Sequence, residues 1–87
     1  MRILFLPGDG IGPEVAREAE KVLQAVAARF GHRLEARHDL IGAAALEATG
    51  AALPPSARAE ALEADAVLLG AVGLPAYDSL PPAQRPE

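Results

Sequence analysis

The sequence has no cysteine and no tryptophan, and its only aromatic side chains are Phe5, Phe30 and Tyr77. Without cysteine, neither a disulfide framework nor a thiolate metal site can form. Twenty of the 87 residues are alanine, so the side chains available for a core are small. Chains only just past about 70–80 residues gain little stability from such a core. We therefore expect one small domain of marginal stability.

An excess of positive charge and long apolar runs are also missing. Eight lysines and arginines are interspersed with twelve acids, for a net charge of −4. This balance offers no basic stripe for a phosphate backbone and no polybasic membrane anchor, so it predicts neither nucleic-acid nor membrane partners. The apolar run at residues 3–6 is too short for a signal peptide before Pro7 and Gly8 interrupt it. The expected location is the cytoplasm.

Strand and helix patterns alternate along the chain. Residues 3–6 and 66–69 are short apolar runs bounded by glycine, the pattern of parallel strands buried on both faces. A helix is expected to begin near Gly12, with Pro13 and Glu14 in its first turn, and to end at Gly31. This alternation predicts an α/β fold of parallel-sheet βαβ units.

The first helix has an apolar stripe that should cover one face of the sheet. At 100° per residue, six side chains fall on one side and the charged residues fall opposite. The stripe consists of Val15, Ala19, Val22, Leu23, Val26 and Phe30.

The later elements are shorter. Residues 32–41 roughly alternate, which favours a half-buried strand near a sheet edge. Residues 43–48 predict a short helix closed by Thr49 and Gly50, and Ser56 is a candidate cap for a helix at residues 57–64. Residues 73–87 contain four prolines and no periodicity, which is typical of a loop.

The turn after the first strand contains Gly8, Gly10 and Gly12. Glycine lets backbone pass close to a ligand, and the following helix could present N–H groups to a phosphate or carboxylate. The spacing is not the G-x-G-x-x-G dinucleotide fingerprint. From spacing alone, a tight structural turn and an anion site are about equally favoured.

The segment Leu6-Pro7-Gly8-Asp9-Gly10-Ile11-Gly12-Pro13-Glu14-Val15 resembles the opening of the isocitrate and isopropylmalate dehydrogenase family. Residues 66–73 resemble the strand and glycine turn before that family's cofactor loop. Asp78, Leu80-Pro81 and Arg85-Pro86-Glu87 resemble the isopropylmalate branch in particular. The resemblance spans residues 1–87, which would form a partial domain: the amino-terminal part of the larger, cofactor-side domain.

The resemblance implies NAD-dependent oxidative decarboxylation of a 2-hydroxy acid, with Mg²⁺ or Mn²⁺ and a homodimer. In the isopropylmalate branch the substrate is 3-isopropylmalate, in leucine biosynthesis. The family's catalytic and metal-binding residues would lie beyond residue 87, so we expect no catalytic residue, no metal site and no activity from this chain alone. The alternatives are a family member acting on isocitrate, homoisocitrate or tartrate, and a non-enzymatic anion-binding α/β module.

The resemblance also implies which residues would meet NAD. Ile11 would lie near the cofactor, and the loop at residues 73–87 would line its nicotinamide end. The positions carried over are Ile11, Gly73, Pro75, Tyr77, Asp78, Leu80, Pro81, Arg85, Pro86 and Glu87. The isopropylmalate pattern usually has glycine and lysine where Leu74 and Ala76 stand here, a difference that could change the loop and weaken cofactor contact.

The other polar residues favour simple structural roles. His32 and His38 lie in a charged stretch without a partner motif and are expected at the surface. Asp9 is expected to make local hydrogen bonds within its turn. Glu60 and Glu63 are expected on the solvated face of a helix.

Overall fold

The computed structural model of the chain describes residues 1–86. Its helices and strands follow in the order β1 (Arg2–Gly8), α1 (Gly12–Phe30), β2 (Glu35–His38), α2 (Ala43–Thr49), α3 (Pro55–Glu63) and β3 (Ala66–Ala71). Two 3₁₀ turns, Pro75–Tyr77 and Pro82–Gln84, lie in the segment that follows β3. Within residues 1–86 no helix is both long and apolar enough to cross a membrane.

The three strands form one parallel sheet in the order β2-β1-β3. This confirms the predicted α/β fold with parallel βαβ units. The central strand β1 buries residues 3–6 almost completely, and Leu4 and Phe5 are the largest fully buried side chains. A run that is apolar at every position is needed here because helices cover both faces of this strand.

The two faces of β1 are covered by different helices. Leu4 and Leu6 pack with Ala57 of α3. Phe5 shares a crevice with Ala16 of α1, because successive side chains of a strand point to opposite faces. The connection from β1 to β2 and the connection from β2 to β3 therefore cross opposite faces of the sheet.

Helix α1 begins and ends as predicted. Pro13 occupies its first turn, where a missing N–H costs nothing, and Glu14 lies beside the positive end of the helix dipole. Gly31 adopts the left-handed conformation at φ 71°, and its N–H bonds the Ala27 carbonyl.

The predicted packing face of α1 is only partly correct: Ala19 and Leu23 of the stripe are half-buried, but its other four side chains are exposed. Val15, Val22, Val26 and Phe30 are 53%, 63%, 45% and 69% exposed, whereas Ala16 and Ala27 are buried. Small side chains let the helix lie close to the sheet, and the apolar arc is wider than the part that faces it. Arg17 and Glu20, on one flank of α1, lie beside His38 of β2. Because β2 and β3 are on opposite sides of β1, the valines on the other flank of α1 lie on the β3 side.

Strand β3 is parallel as predicted, but the prediction that it is buried is wrong. Val67 and Leu69 are 45% and 54% exposed. They are in register with Leu4 and Leu6 of β1 and therefore share the α3 face of the sheet. Helix α3 covers β1 there and leaves β3 bare. The outer edge of β3 also has no partner strand among the described residues.

Three further expectations can be compared with the structure. Strand β2 lies at an edge of the three-stranded sheet, as predicted, but it is only four residues long, and the half-buried pattern is wrong because only Ala36 is partly buried. Helix α2 ends at a left-handed Gly50, as predicted. The predicted cap Ser56 is wrong, because Pro54 precedes α3 and the Ser56 hydroxyl instead donates to the Asp39 carboxylate at 3.3 Å.

Candidate functional site

The candidate site lies at the carboxyl ends of β1 and β3. The glycine turn at residues 8–12 starts at the last residue of β1, and the segment at residues 73–86 follows β3 after Val72. Because the two strands are parallel neighbours, both connections leave the same edge of the sheet. Ligands of open parallel sheets bind outside this edge.

Three glycines bring the turn and β3 into direct backbone contact. A Cβ atom on Gly8 would collide with the Ala71 carbonyl, and one on Gly12 or Gly70 would collide with the Pro7 carbonyl. Gly8 and Gly12 are therefore needed so that neighbouring segments of backbone can pack in contact. Gly10 is different, since the nearest atom to a Cβ there is a Leu74 methyl group at 3.7 Å. Only this glycine leaves room for a ligand.

The start of α1 is poorly suited to bind an anion. The Gly12 N–H donates to the Asp9 carbonyl at 2.7 Å, and the Val15 N–H donates to the Ile11 carbonyl at 3.0 Å. Pro13 has no N–H, and Glu14 places a negative charge in the first turn. The geometry thus favours the structural turn over the anion site that the spacing also allowed.

Asp9 is the only buried polar or charged residue within residues 1–86, at 5% exposure. Its Oδ2 accepts the N–H groups of Ala43 at 2.8 Å and Gly73 at 2.9 Å, and its Oδ1 accepts the N–H of Ala44 at 2.8 Å. Burial alone raises the pKa of this carboxyl, but the bonds from Ala43, Gly73 and Ala44 outweigh it and hold the pKa below its ordinary value. The predicted local role of Asp9 is therefore incomplete, because these partners lie 34–64 residues away.

The segment after β3 begins at Gly73, whose φ of 106° favours glycine. The next residue, Leu74, has φ −135° and ψ 146°, an extended conformation that any residue adopts. A second glycine is therefore not required at position 74. The Tyr77 hydroxyl donates to Glu47 of α2 at 3.3 Å. Partial burial and the Glu47 carboxylate raise the pKa of the Tyr77 phenol, so it remains a donor.

The other predicted cofactor residues continue along this segment. Pro75 begins the first 3₁₀ turn and Asp78 ends it, and both are exposed. The Leu80 carbonyl accepts the Arg85 Nε at 2.8 Å, Pro81 precedes the second turn, and Pro86 is buried. Glu87 lies outside the described residues.

The structure brings the turn and the start of the segment together. Ile11 is 68% exposed beside Gly10, and a Cβ atom built on Gly10 would lie 3.7 Å from a Leu74 methyl group. This apolar surface next to an uncovered glycine is suited to contact a flat aromatic ring. Within residues 1–86 no group of three or more His, Asp or Glu side chains could hold a metal ion.

A pocket of about 450 Å³ adjoins this site at the carboxyl ends of β1 and β2 and shares Gly8 with the glycine turn. It is lined by Pro7, Gly8, Pro13, His38, Asp39, Leu40 and Ala44, none of them among the cofactor residues that the resemblance implies. His38 is exposed as predicted; it stacks on Phe5 and pairs with Glu20 at 2.6 Å. Glu63 is solvated as predicted, but Glu60 is half-buried with one carboxylate oxygen unpartnered.

Comparison with curated proteins identifies similar sequences along the whole chain. It is 55% identical over 86 residues to a 3-isopropylmalate dehydrogenase of Moorella thermoacetica, with 99% of this chain and 24% of that protein covered. It is 51% identical over 87 residues to a 3-isopropylmalate dehydrogenase of Thermotoga maritima, covering 100% of this chain and 25% of that protein. The chain thus spans about a quarter of the length of these relatives.

A solved structure has the same fold. The apo form of a β-decarboxylating dehydrogenase from Thermococcus kodakarensis matches with a TM-score of 0.75 and 35% identity, over 92% of this chain and 22% of that one. The family model described as isocitrate/isopropylmalate dehydrogenase matches residues 2–87. This match covers all but the first residue, so the chain belongs to the isocitrate/isopropylmalate dehydrogenase family.

Proposed function

We propose that these 87 residues form the opening, cofactor-side part of an enzyme that oxidises and decarboxylates 3-isopropylmalate with NAD in leucine biosynthesis. The observation that carries this proposal is the similarity of the whole chain to relatives named 3-isopropylmalate dehydrogenase, at 55% identity in one of them. The proposal favours this substrate over isocitrate, homoisocitrate or tartrate for the same reason.

The chain's own contribution is to hold NAD. When bound, NAD would supply the hydride acceptor, and the residues of this chain would hold and orient it. Ile11 offers an exposed apolar side chain beside Gly10, where a planar ring has room to pack. The segment at residues 73–86, anchored at Gly73 and Tyr77, provides the second wall.

The chemistry of the reacting atoms belongs to other parts of the enzyme in this proposal. The described residues do not fit a Mg²⁺ or Mn²⁺ site, because they include no suitable ligand cluster. The metal ligands and the groups that transfer protons would come from the remaining three quarters of a protein of the relatives' length. The proposal also includes a homodimer in the cytoplasm, which family membership supports.

A hybrid enzyme provides the test. In this hybrid, the 87 residues replace the matching opening segment of the Moorella thermoacetica relative. We expect it to form NADH from NAD and 3-isopropylmalate, because the glycine turn and the segment after β3 would hold NAD as the native segment does. Formation of NADH is followed by absorbance, and the unmodified relative is the positive control.

Two variants of the hybrid sharpen this test. Ile11→Asp places a charge at the proposed ring contact and should raise the KM for NAD, whereas Gln24→Asp, on the exposed flank of α1, should not. A hybrid that folds like the parent but forms no NADH would contradict the proposed function. If both variants have the same KM for NAD, Ile11 is not part of the cofactor site.

A further inference from the structure

The Asp9 carboxylate joins three connections that the sequence keeps far apart. Its own turn follows β1, Ala43 and Ala44 begin α2, and Gly73 begins the segment after β3. Each of the three donors is a backbone N–H. The donors are therefore main-chain groups, and the only side chain that takes part in these hydrogen bonds is that of Asp9.

The backbone around Asp9 is shaped for this contact. Gly42 has φ 75° and ψ −145°, and a Cβ atom there would lie 2.5 Å from the Asp9 Oδ2. Only glycine lets the start of α2 approach so closely with its N–H groups aimed at the carboxylate. The Asp9 N–H also donates to the Ala71 carbonyl at 2.7 Å, so Asp9 contacts the end of β3 with its backbone and the segment after β3 with its side chain.

A single oxygen couples α2 to the segment after β3. The Asp9 Oδ2 accepts from both Ala43 and Gly73, so neither can move without disturbing the other. Past Gly73, the remaining side-chain tie to α2 is the exposed Tyr77–Glu47 hydrogen bond at 3.3 Å, which is longer and open to water. The direction in which the segment leaves the sheet is thus set mainly at Gly73.

We propose that Asp9 is a positioning residue, which fixes the start of the segment at residues 73–86 so that the segment meets NAD in one conformation. The part of this inference that concerns NAD rests on the proposed function. The anchoring itself is independent of it. A charged carboxylate serves this purpose well, because charge-assisted hydrogen bonds are roughly twice as strong as neutral ones.

The test uses Asp9→Asn in the hybrid enzyme, with Asp39→Asn as the matched control. Asn has one acceptor oxygen, and its NH₂ group would face one of the three backbone N–H groups. Asp39 also accepts hydrogen bonds, from the Leu40 N–H and the Ser56 hydroxyl, but it contacts no part of the segment. If Asp9→Asn does not fold, Asp9→Ser is the second variant. The serine hydroxyl keeps one acceptor oxygen and brings no NH₂ group against the backbone N–H groups.

Hydrogen exchange and kinetics give separate readouts. We expect exchange of the Gly73 amide to accelerate about tenfold in Asp9→Asn, and the KM for NAD to rise about tenfold while kcat at saturating NAD stays within about twofold. Asp39→Asn should change neither. Tyr77→Phe, which removes the weaker anchor, should raise the KM for NAD by less than Asp9→Asn.

The outcomes distinguish the two proposals. Unchanged exchange at Gly73 in a folded Asp9→Asn hybrid would overturn the anchoring role. Faster exchange with an unchanged KM for NAD would show a structural anchor without a role in cofactor binding, and would overturn the positioning role. Failure of the unsubstituted hybrid to use NAD would contradict the proposed function, while the exchange measurement would still decide the anchoring.

Discussion

A buried aspartate with three backbone donors makes stability depend on pH in a defined direction. The pKa of Asp9 is lowered in the folded chain from its ordinary value of 3.8. In the unfolded chain the carboxyl takes a proton more readily. At pH values above its ordinary pKa of 3.8, the ionised carboxylate therefore stabilises the folded chain. This contribution is lost as pH falls through the lowered pKa of the folded state.

The first prediction follows from this direction. In the hybrid, Asp9→Asn should lower the free energy of unfolding by about 2–3 kcal/mol at neutral pH, because buried N–H groups lose a charged acceptor. The difference should stay constant above about pH 5 and shrink as pH falls further. Urea unfolding at a series of pH values measures it. Glu35, whose pKa its partner Arg37 also lowers, is present in both proteins and cancels in the difference. A difference that grows toward acid pH would contradict the account.

Single residues were predictable where the signal is local. Gly31 was expected to end α1 with a left-handed cap, and Thr49 and Gly50 were expected to close α2. Both glycines follow the ends of their helices and are left-handed. The partners of Asp9 could not be predicted, since an aspartate in a turn looks the same whether it bonds its neighbours or residues 34–64 positions away. Ser56 failed as a cap because Pro54 and Pro55 already direct the chain into α3.

At the scale of elements, β1, β3 and the turn after β1 come into close backbone contact. Gly8, Gly12 and Gly70 make it possible, because each faces a backbone carbonyl where a side chain would begin. The packing places the segment after β3 beside Gly10 and Ile11. The candidate cofactor site therefore depends on two strands whose ends are more than 60 residues apart in the sequence.

The second prediction compares two glycines of nearly equal conformation. Gly8 has φ 81° and Gly50 has φ 83°, but a Cβ atom at Gly50 meets nothing within 4 Å. Gly50→Ala in the hybrid should cost about 1–2 kcal/mol, the conformational penalty alone. Gly8→Ala should lower the free energy of unfolding by more than about 3 kcal/mol, because the new methyl group must also push the Ala71 carbonyl away. Urea unfolding measures the free energy of unfolding of both variants. Equal losses would show that the backbone contact between Gly8 and the Ala71 carbonyl tolerates a side chain.

The apolar stripe of α1 shows why element packing was only partly predictable. Helical periodicity correctly found the apolar arc, but periodicity cannot say which part of that arc faces the sheet. Ala16 and Ala27 face it here, and Val15, Val22, Val26 and Phe30 remain exposed. The exposure of Val67 and Leu69 on β3 has a similar cause, because a run of apolar residues indicates a buried environment without naming the element that supplies it.

The third prediction concerns this stripe. In the hybrid, Val22→Asn should lower the free energy of unfolding by about 1–3 kcal/mol, because we expect the rest of the enzyme to bury this valine. Gln24→Asn is the matched control, since Gln24 is exposed on the other flank of the same helix. Urea unfolding of the two variants measures the difference. If Val22→Asn proves as neutral as Gln24→Asn, the stripe is a solvent-exposed surface.

At the scale of the whole molecule, one part of the exposed apolar surface lies along the β3 edge. The β3 edge is unpaired within the described residues, Val67 and Leu69 are bare, and the exposed valines of α1 lie on the β3 side. Unpaired edges and apolar patches favour association with other chains. The three-stranded parallel sheet and its order of elements followed from the sequence, because alternating strand and helix patterns leave few topologies.

The fourth prediction is that a polypeptide of these 87 residues folds poorly by itself. We expect helix content without a sharp thermal transition, or soluble aggregates, because the small alanine-rich core must offset about 1.5 kcal/mol of entropy for each ordered residue. Circular dichroism and size-exclusion chromatography measure this. A clean monomer with a sharp transition would instead favour a self-sufficient module.

The most direct measurement of the central claim combines two polypeptides. The 87-residue chain is mixed with the part of the Moorella thermoacetica 3-isopropylmalate dehydrogenase that follows its matching segment, and NADH formation from NAD and 3-isopropylmalate is recorded. The relative's own opening segment, mixed with the same remainder, is the positive control. We predict a stable complex that forms NADH, because the bare β3 edge and α1 stripe would find their partners. Absence of a complex or of NADH, where the positive control gives both, would contradict the claim that this chain is the cofactor-side part of such an enzyme.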